Sequence, residues 1–308
     1  MVPIVYRSSD VGAPILTGEV GSLKQVLLAC LVNGYGAKPG AGWTMPYEAL
    51  NKAMFRNASV APCYLRVDDN APGAGLAREA RVVGAVDANG IDSYSLPFPT
   101  TVQAASGLFV RKSNNADNGA RSWYIYADNL TFTLFTFPLD VSTVVASSLH
   151  FGEFYSYLTN NSRRHLLIAK SQENVPAAVD SLRSIAAAPS SSTTGHYLSG
   201  NYAGAGASTS PGKQSTIAWF NSAAITFGNL PMPNNPDGSV QVGRVLLSDP
   251  SPVVALLGEL RGVWATAHAV NTAAIGDSFT ARGRNFDVAA LDSSGGAYIM
   301  ETTEWGSN

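Results

Sequence analysis

Two cysteines and four histidines in 308 residues leave little material for thiol or soft-metal chemistry. His150, His165, His196 and His268 are scattered, and none forms the His-x-x-x-His or His-Glu-x-x-His spacing that sets two ligands on one helix face. No Gly-x-Ser-x-Gly elbow occurs, and no glycine loop ends in the Gly-Lys-Ser/Thr that would cradle a phosphate. Charge is scarce too: 14% of residues are charged and the net charge is −2, against about 25% charged in an ordinary soluble protein. The densest basic cluster is Ser162-Arg163-Arg164-His165. Sequence-independent nucleic-acid binding needs many more cationic contacts, so no nucleic-acid partner is expected. The longest apolar runs, such as Val26 to Val32, fall far short of the ~20 residues of a membrane span, and no membrane association is expected. The start, Met1-Val2-Pro3-Ile4-Val5-Tyr6-Arg7, has no basic segment leading into an apolar one. Synthesis in a reducing cytoplasm is therefore expected, with Cys30 and Cys63 as buried thiols.

What the chain does have is a globular share of apolar residues, 45%, cut into short runs by Gly, Pro, Asn and Asp. One helix stands out. Ser22 reads as an N-cap with Gln25 completing a capping box, and Leu23, Val26, Leu27, Cys30 and Leu31 form an apolar stripe. Asn33-Gly34 ends it. The glycine-rich stretch Tyr35 to Trp43 reads as a turn that delivers Trp43 to a packing site. Tyr64 to Val67 and Ala80 to Val86 read as partner strands. Trp123-Tyr124-Ile125-Tyr126 and Leu130 to Phe135, joined at Asp128-Asn129, make the strongest hairpin signal, with Leu130, Phe132 and Leu134 alternating against threonines. Val179, Leu182 and Ile185 are spaced for one face of a second helix over 176–186.

These signals predict an α+β fold of mostly short antiparallel strands with a few helices, the hairpin at 122–137 at its centre. The expected organisation is an α+β body over 1–185, a flexible Ser/Gly/Ala-rich loop or linker over 186–213, and a β-rich part over 214–308 packed on the same core or beside it. No internal repeat is visible.

Catalysis would have to be assembled by the fold. Asp68, Asp69, Glu79, Glu153, Asp277 and Asp287 are the carboxylates that a glycan hydrolase would need to bring within several ångströms of one another. Asp68-Asp69-Asn70 offers three oxygen-bearing side chains, without the alternation of a calcium loop; such residues are ordinary turn formers. Trp43, Trp123, Trp219 and Trp264 discriminate between two roles. Gathered in one exposed concave patch they would serve sugar binding; buried, or at subunit contacts, they would serve packing. No catalytic residue, cofactor site or metal site is assigned, and the expectation is a protein that is not an enzyme.

Several phrases stand in a co-linear order: Val5-Tyr6-Arg7-Ser8-Ser9-Asp10 with Gly12-Ala13-Pro14, then Leu31-Val32-Asn33-Gly34-Tyr35-Gly36 and Gly42-Trp43-Thr44. Tyr64 to Asp69, Ala77 to Val82, Phe98-Pro99-Thr100, Leu260-Arg261-Gly262 before Trp264, and Gly276-Asp277-Ser278-Phe279 follow. Together they resemble a family of virion structural proteins of tailed bacteriophages and prophages. The resemblance is strongest over 5–170 and thinner through 186–213. It implies a virion component made in the bacterial cytoplasm, and it carries no catalytic motif. The expected function is structural, in the tail or baseplate, with other phage structural proteins and copies of the chain itself as partners. The expected self-contacts are the loop at 35–43, the hairpin tip near Asp128-Asn129, and 186–213. The alternatives are a carbohydrate-binding host-adsorption module that meets a host-surface glycan, a capsid decoration protein, and, last, a virion-associated glycan hydrolase.

Overall fold

A computed structural model describes residues 1–70, 78–138, 147–170, 194–200, 212–213, 215–218, 242–249, 255–266, 274–291 and 297–306. The elements in chain order begin with β1 (Ile4–Arg7), α1 (Ser22–Leu27), β2 (Thr44–Ala49), β3 (Lys52–Arg56), β4 (Tyr64–Asp68), β5 (Glu79–Ala88) and β6 (Tyr94–Phe98). Then come β7 (Leu108–Arg111), β8 (Ser122–Ala127), β9 (Thr131–Phe137), β10 (Ser147–Glu153), β11 (Tyr155–Ser156), β12 (His165–Lys170), β13 (Thr194–Leu198) and β14 (Gly212–Lys213). The rest are β15 (Ser215–Ala218), β16 (Val242–Asp249), β17 (Ala255–Thr266), β18 (Ser278–Ala281), β19 (Arg284–Leu291) and β20 (Ala297–Glu301).

The α+β expectation is corrected. Strands take up 52% and helix 6%, so the fold is mostly β, built of large curled antiparallel sheets. The expected helix over 22–33 exists but is short: α1 passes into a π-helical turn at Leu28–Asn33. Its stripe of Leu23, Val26, Leu27, Cys30 and Leu31 is buried, yet two turns cannot set a fold class. The second expected helix, 176–186, lies outside the described residues. Among the described residues no helix is long and apolar enough to cross a membrane.

The larger sheet runs β1-β8-β9-β10-β12-β7-β5-β4-β3-β2, with β6 on β5 and β13 and β14 beyond β12. One bridge, Lys170 to Phe109, joins its two halves. These halves fold over a shared core containing α1, Trp43, Phe55, Leu65, Phe132 and Phe151. The smaller sheet runs β15-β16-β17-β20-β19-β18, with β11 on β17. It covers the opposite face of the first half, where Tyr126, Phe135, Phe137, Leu166 and Ile168 meet Leu257, Val263, Tyr298 and Met300.

β8, β9 and β12 are thus a middle layer. Strand side chains alternate between faces, so Phe132 and Leu134 enter the first core while Phe135 and Phe137 enter the second. The hairpin at 122–137 is the central element, as expected, and all seven residues of β9 are buried. Its threonines do not face solvent. Thr131 Oγ1 donates to the Glu153 carbonyl at 2.7 Å and Thr136 Oγ1 to the Arg111 carbonyl at 2.6 Å. The C-terminal strands share this core with the N-terminal ones, and Thr194–Leu198, within the stretch expected to be a loop, is a strand on β12.

The start of α1 is capped by tertiary structure rather than by Ser22. The cap position is Gly21, and the Ser22 hydroxyl donates to the carbonyls of Thr17 and Glu19. Asp69 Oδ2 accepts the amides of Leu23 and Lys24 at 2.9 and 3.2 Å. Its other oxygen lies 2.5 Å from Lys112 Nζ, both side chains being fully buried. At the other end, Ala41 and Trp43 amides bond the Cys30 and Leu31 carbonyls, each at 3.0 Å. Gly40 permits that approach, since a Cβ there would sit 2.2 Å from the Val32 carbonyl oxygen. Trp43 is delivered to the core, edge-on to Phe132. Both cysteines are buried free thiols.

The Asp69–Lys112 pair generates a prediction. Asp69→Ala leaves an uncompensated buried ammonium and two unbonded helix amides, for a loss of about 3–5 kcal/mol. Asp69→Ala with Lys112→Met recovers part of that loss, because no buried charge remains. Urea titration of the three proteins measures it; a double variant no more stable than Asp69→Ala would contradict this account.

Candidate functional site

The residues singled out in the sequence are mostly consumed by packing and pairing. Trp43 and Trp123 are core residues whose indole nitrogens donate to the carbonyls of Asp128 and Pro14. Trp219 and His268 lie outside the described residues. Trp264 is half-buried. The acids are dispersed into separate pairs. Asp68 meets Arg66 at 3.2 Å, Glu79 meets Lys170 at 2.6 Å, Glu153 meets Arg164 at 2.8 Å and Asp287 meets Arg7 at 2.7 Å. Asp277 accepts the Ala274 amide. The Asp68-Asp69-Asn70 turn is likewise committed, with Asp69 under α1 and Asp68 on Arg66. Among the described residues no group of three His, Cys, Asp or Glu is placed to hold a metal.

His150, His165 and His196 sit inside the larger sheet. His150 on β10 is fully buried, with Nδ1 2.8 Å from Thr133 Oγ1. Burial, and secondarily the charge of Arg261, push its pKa down to about 3. Burial likewise brings His165 down to about 4, against the opposing pull of Glu153. Both are neutral structural groups near pH 7.

The hairpin tip is also turned inward. Asp128 Oδ1 accepts the amides of Leu130 and Thr131, each at 2.9 Å, and Oδ2 accepts Arg261 Nη2. Arg261 is buried, and its Nη1 donates to the Gly306 carbonyl. Through Asp128 the tip anchors the C-terminal sheet, while Asn129 and Leu130 stay half-buried.

Arg261 marks the wall of a groove of about 650 Å³ that the sequence did not announce. Three elements meet there: β17 around Gly262, the β18–β19 turn at Arg282-Gly283, and the segment 303–306. Gly262 has φ 71°, and a Cβ on it would fall 2.1 Å from the Trp305 ring, so Trp305 packs directly on backbone. The Trp305 indole nitrogen donates to the Glu301 carbonyl at 2.8 Å. Arg284 holds both oxygens of Glu301, at 2.8 and 3.0 Å, and Trp264 Nε1 donates to the same carboxylate at 3.1 Å. Arg244 lies 4.9 Å over the Trp264 ring and pairs with Glu259 at 2.8 Å. Phe286 stands edge-on to Trp264 at 5.4 Å. Tyr155 also lines the groove. The groove therefore presents fixed guanidinium donors and carboxylate acceptors beside aromatic rings.

Sequence reasoning missed Arg244, Glu259, Arg282, Arg284 and Glu301 because they come from segments far apart in the chain. The one local signal was Ala281-Arg282-Gly283-Arg284, a two-residue turn between strands. No protein-family model matches the chain, and no curated protein is significantly similar to it.

The buried histidines predict a pH dependence. Their folded pKa values lie below the ordinary 6.5, so between pH 6.5 and about 4 the unfolded chain binds more protons. Stability is fully present above pH 6.5 and falls as the pH drops, by about 1.4 kcal/mol per pH unit for each histidine. Urea midpoints at pH 7, 6, 5 and 4 test this. His150→Gln shallows the slope; an unchanged slope in that variant would remove His150 from the account.

Proposed function

We propose that this chain is a structural component of a tailed bacteriophage particle, in the tail or baseplate, acting through protein–protein contacts. The carrying observation is where its few charges go. Lys24, Arg66, Asp69, Glu79, Arg111, Lys112, Arg121, Asp128, Lys170, Arg261 and Asp287 are among the charged residues that are buried. Meanwhile Val11, Leu50, Val60 and Val102 are at least 90% exposed, on loops and turns of the larger sheet. A surface with few charges and with apolar loop tips has little like-charge repulsion to oppose repeated packing. The resemblance of the ordered phrases to those of virion structural proteins supports the same reading.

The partners under this reading are other phage structural proteins and further copies of the chain. Repetition around an axis uses heterologous contacts, which close into rings. Dispersal of Asp68, Asp69, Glu79, Glu153 and Asp287 into separate ion pairs favours this reading over a virion-associated glycan hydrolase.

Purified particles test it. The chain is expected in them by mass spectrometry, in several copies per particle, and an electron-microscopy map is expected to place it in tail or baseplate density. Leu50→Glu, at a turn that is 90% exposed, should change the stability of the free chain by no more than about 0.5 kcal/mol and lower the yield of assembled particles. Particles that lack the chain would end this reading.

A further inference from the structure

The groove beneath the Arg282 turn has a charge balance that selects a ligand. Arg244 is paired with Glu259, Arg284 with Glu301, and Arg261 with Asp128. Glu304 lies 3.6 Å from the amino group of Met1. Arg282 has no such partner among the described residues. It is exposed, and it heads the turn with φ 49°, followed by Gly283 at φ 74°. That two-residue geometry matches the twist of the flanking strands and holds the Arg282 backbone rigidly at the rim.

We propose that this groove binds a carboxylate-bearing saccharide, with Arg282 receiving the carboxylate and the Glu259 and Glu301 ion pairs receiving ring hydroxyls. Three features carry the choice. A volume of about 650 Å³ accepts one to a few sugar rings, within the usual range of ligand sites. A hydroxyl is both donor and acceptor, so it suits a wall in which guanidinium donors alternate with carboxylate acceptors. Glu259 and Glu301 repel a densely charged polyanion such as nucleic acid, whereas a ligand with one charge per ring needs only the single uncompensated cation. An acidic peptide could satisfy Arg282 but brings few hydroxyls for the carboxylates. The groove does not depend on a particle role, and failure of either reading leaves the other standing.

Titration calorimetry of the full chain with trigalacturonate, neutral galactotriose and triglutamate tests it. Trigalacturonate is expected to bind with a dissociation constant on the order of 1 mM, galactotriose more weakly, and triglutamate not measurably. Arg282→Asn removes the charge while keeping a residue that tolerates positive φ; it should weaken trigalacturonate at least about tenfold, since hydrogen bonds to charged groups are among the stronger ones. Arg282→Lys should retain most of the affinity, and both variants should keep the parent's melting temperature. No binding of trigalacturonate, equal binding of triglutamate, or an Arg282→Asn variant with undiminished affinity would each overturn the proposal.

Discussion

Both faces of β8, β9 and β12 are buried, and the arrangement of the remaining strands follows from that. A sheet with one wet face needs only one partner layer. A sheet apolar on both faces needs two, and here the second half of the larger sheet supplies one and the C-terminal sheet the other. Each large side chain taken out of water contributes about 1.5–3 kcal/mol. Tyr126, Phe135 and Phe137 on the second face therefore make a strong case against the middle layer standing alone. The threonines caught in the layer are hydrogen-bonded: Thr131 and Thr136 to carbonyls, and Thr133 to His150. Buried polar atoms are tolerable on that condition.

The ion pairs bind the layers at their seams. Arg7 to Asp287 spans 280 residues of chain and joins β1 to β19, with the Tyr126 hydroxyl 3.3 Å from the same carboxylate oxygen. Arg261 to Asp128 joins β17 to the turn after β8. Lys170 and Arg111 share Glu79, next to the single bridge that connects the halves of the larger sheet. Burying such pairs costs several kcal/mol per ion in desolvation and returns it only when the geometry is satisfied. Their effect is accordingly one of register: a slipped layer strands a charge, which the native arrangement does not.

Much of this was legible locally. The aromatic hairpin, its Asp-Asn turn, the strands around Tyr64 and Ala80, and the helix beginning at Ser22 all follow from alternation, turn chemistry and the apolar stripe. What failed was whatever depends on the third dimension. Threonines alternating with Phe132 and Leu134 look like a solvent face, and only the arrival of β16 to β20 makes them interior. Ser22 has the chemistry of a cap, but Asp69, 46 residues away from Leu23, holds the amides instead. The balance of helix and strand is not legible locally, because one apolar helical stripe gives a stronger signal than many short strands. Beyond the turn at Arg282-Gly283 the groove had no local signature, since Tyr155, Arg244, Arg282 and Trp305 become neighbours only when β11, β16, the β18–β19 turn and the segment 303–306 converge.

The two kinds of surface on this molecule differ in what it takes to cover them. A contact between subunits must desolvate whatever it buries, and a charge without a partner is the most expensive group to dehydrate. Loops bearing Val11, Leu50, Val60 and Val102 carry apolar area that gains from burial. The groove around Arg282 carries an unmatched guanidinium and the partly exposed guanidiniums of Arg244 and Arg284, paired with buried Glu259 and Glu301, which lose hydration without gaining apolar contact. A protein neighbour is therefore disfavoured there unless it brings its own carboxylate. A small hydroxylated acid can occupy the groove while leaving the edges of those charges wet. Under the two proposals, the same scarcity of charge that favours packing at the apolar loop tips makes the charged lining of the groove stand out, and the two roles draw on different residues of one fold.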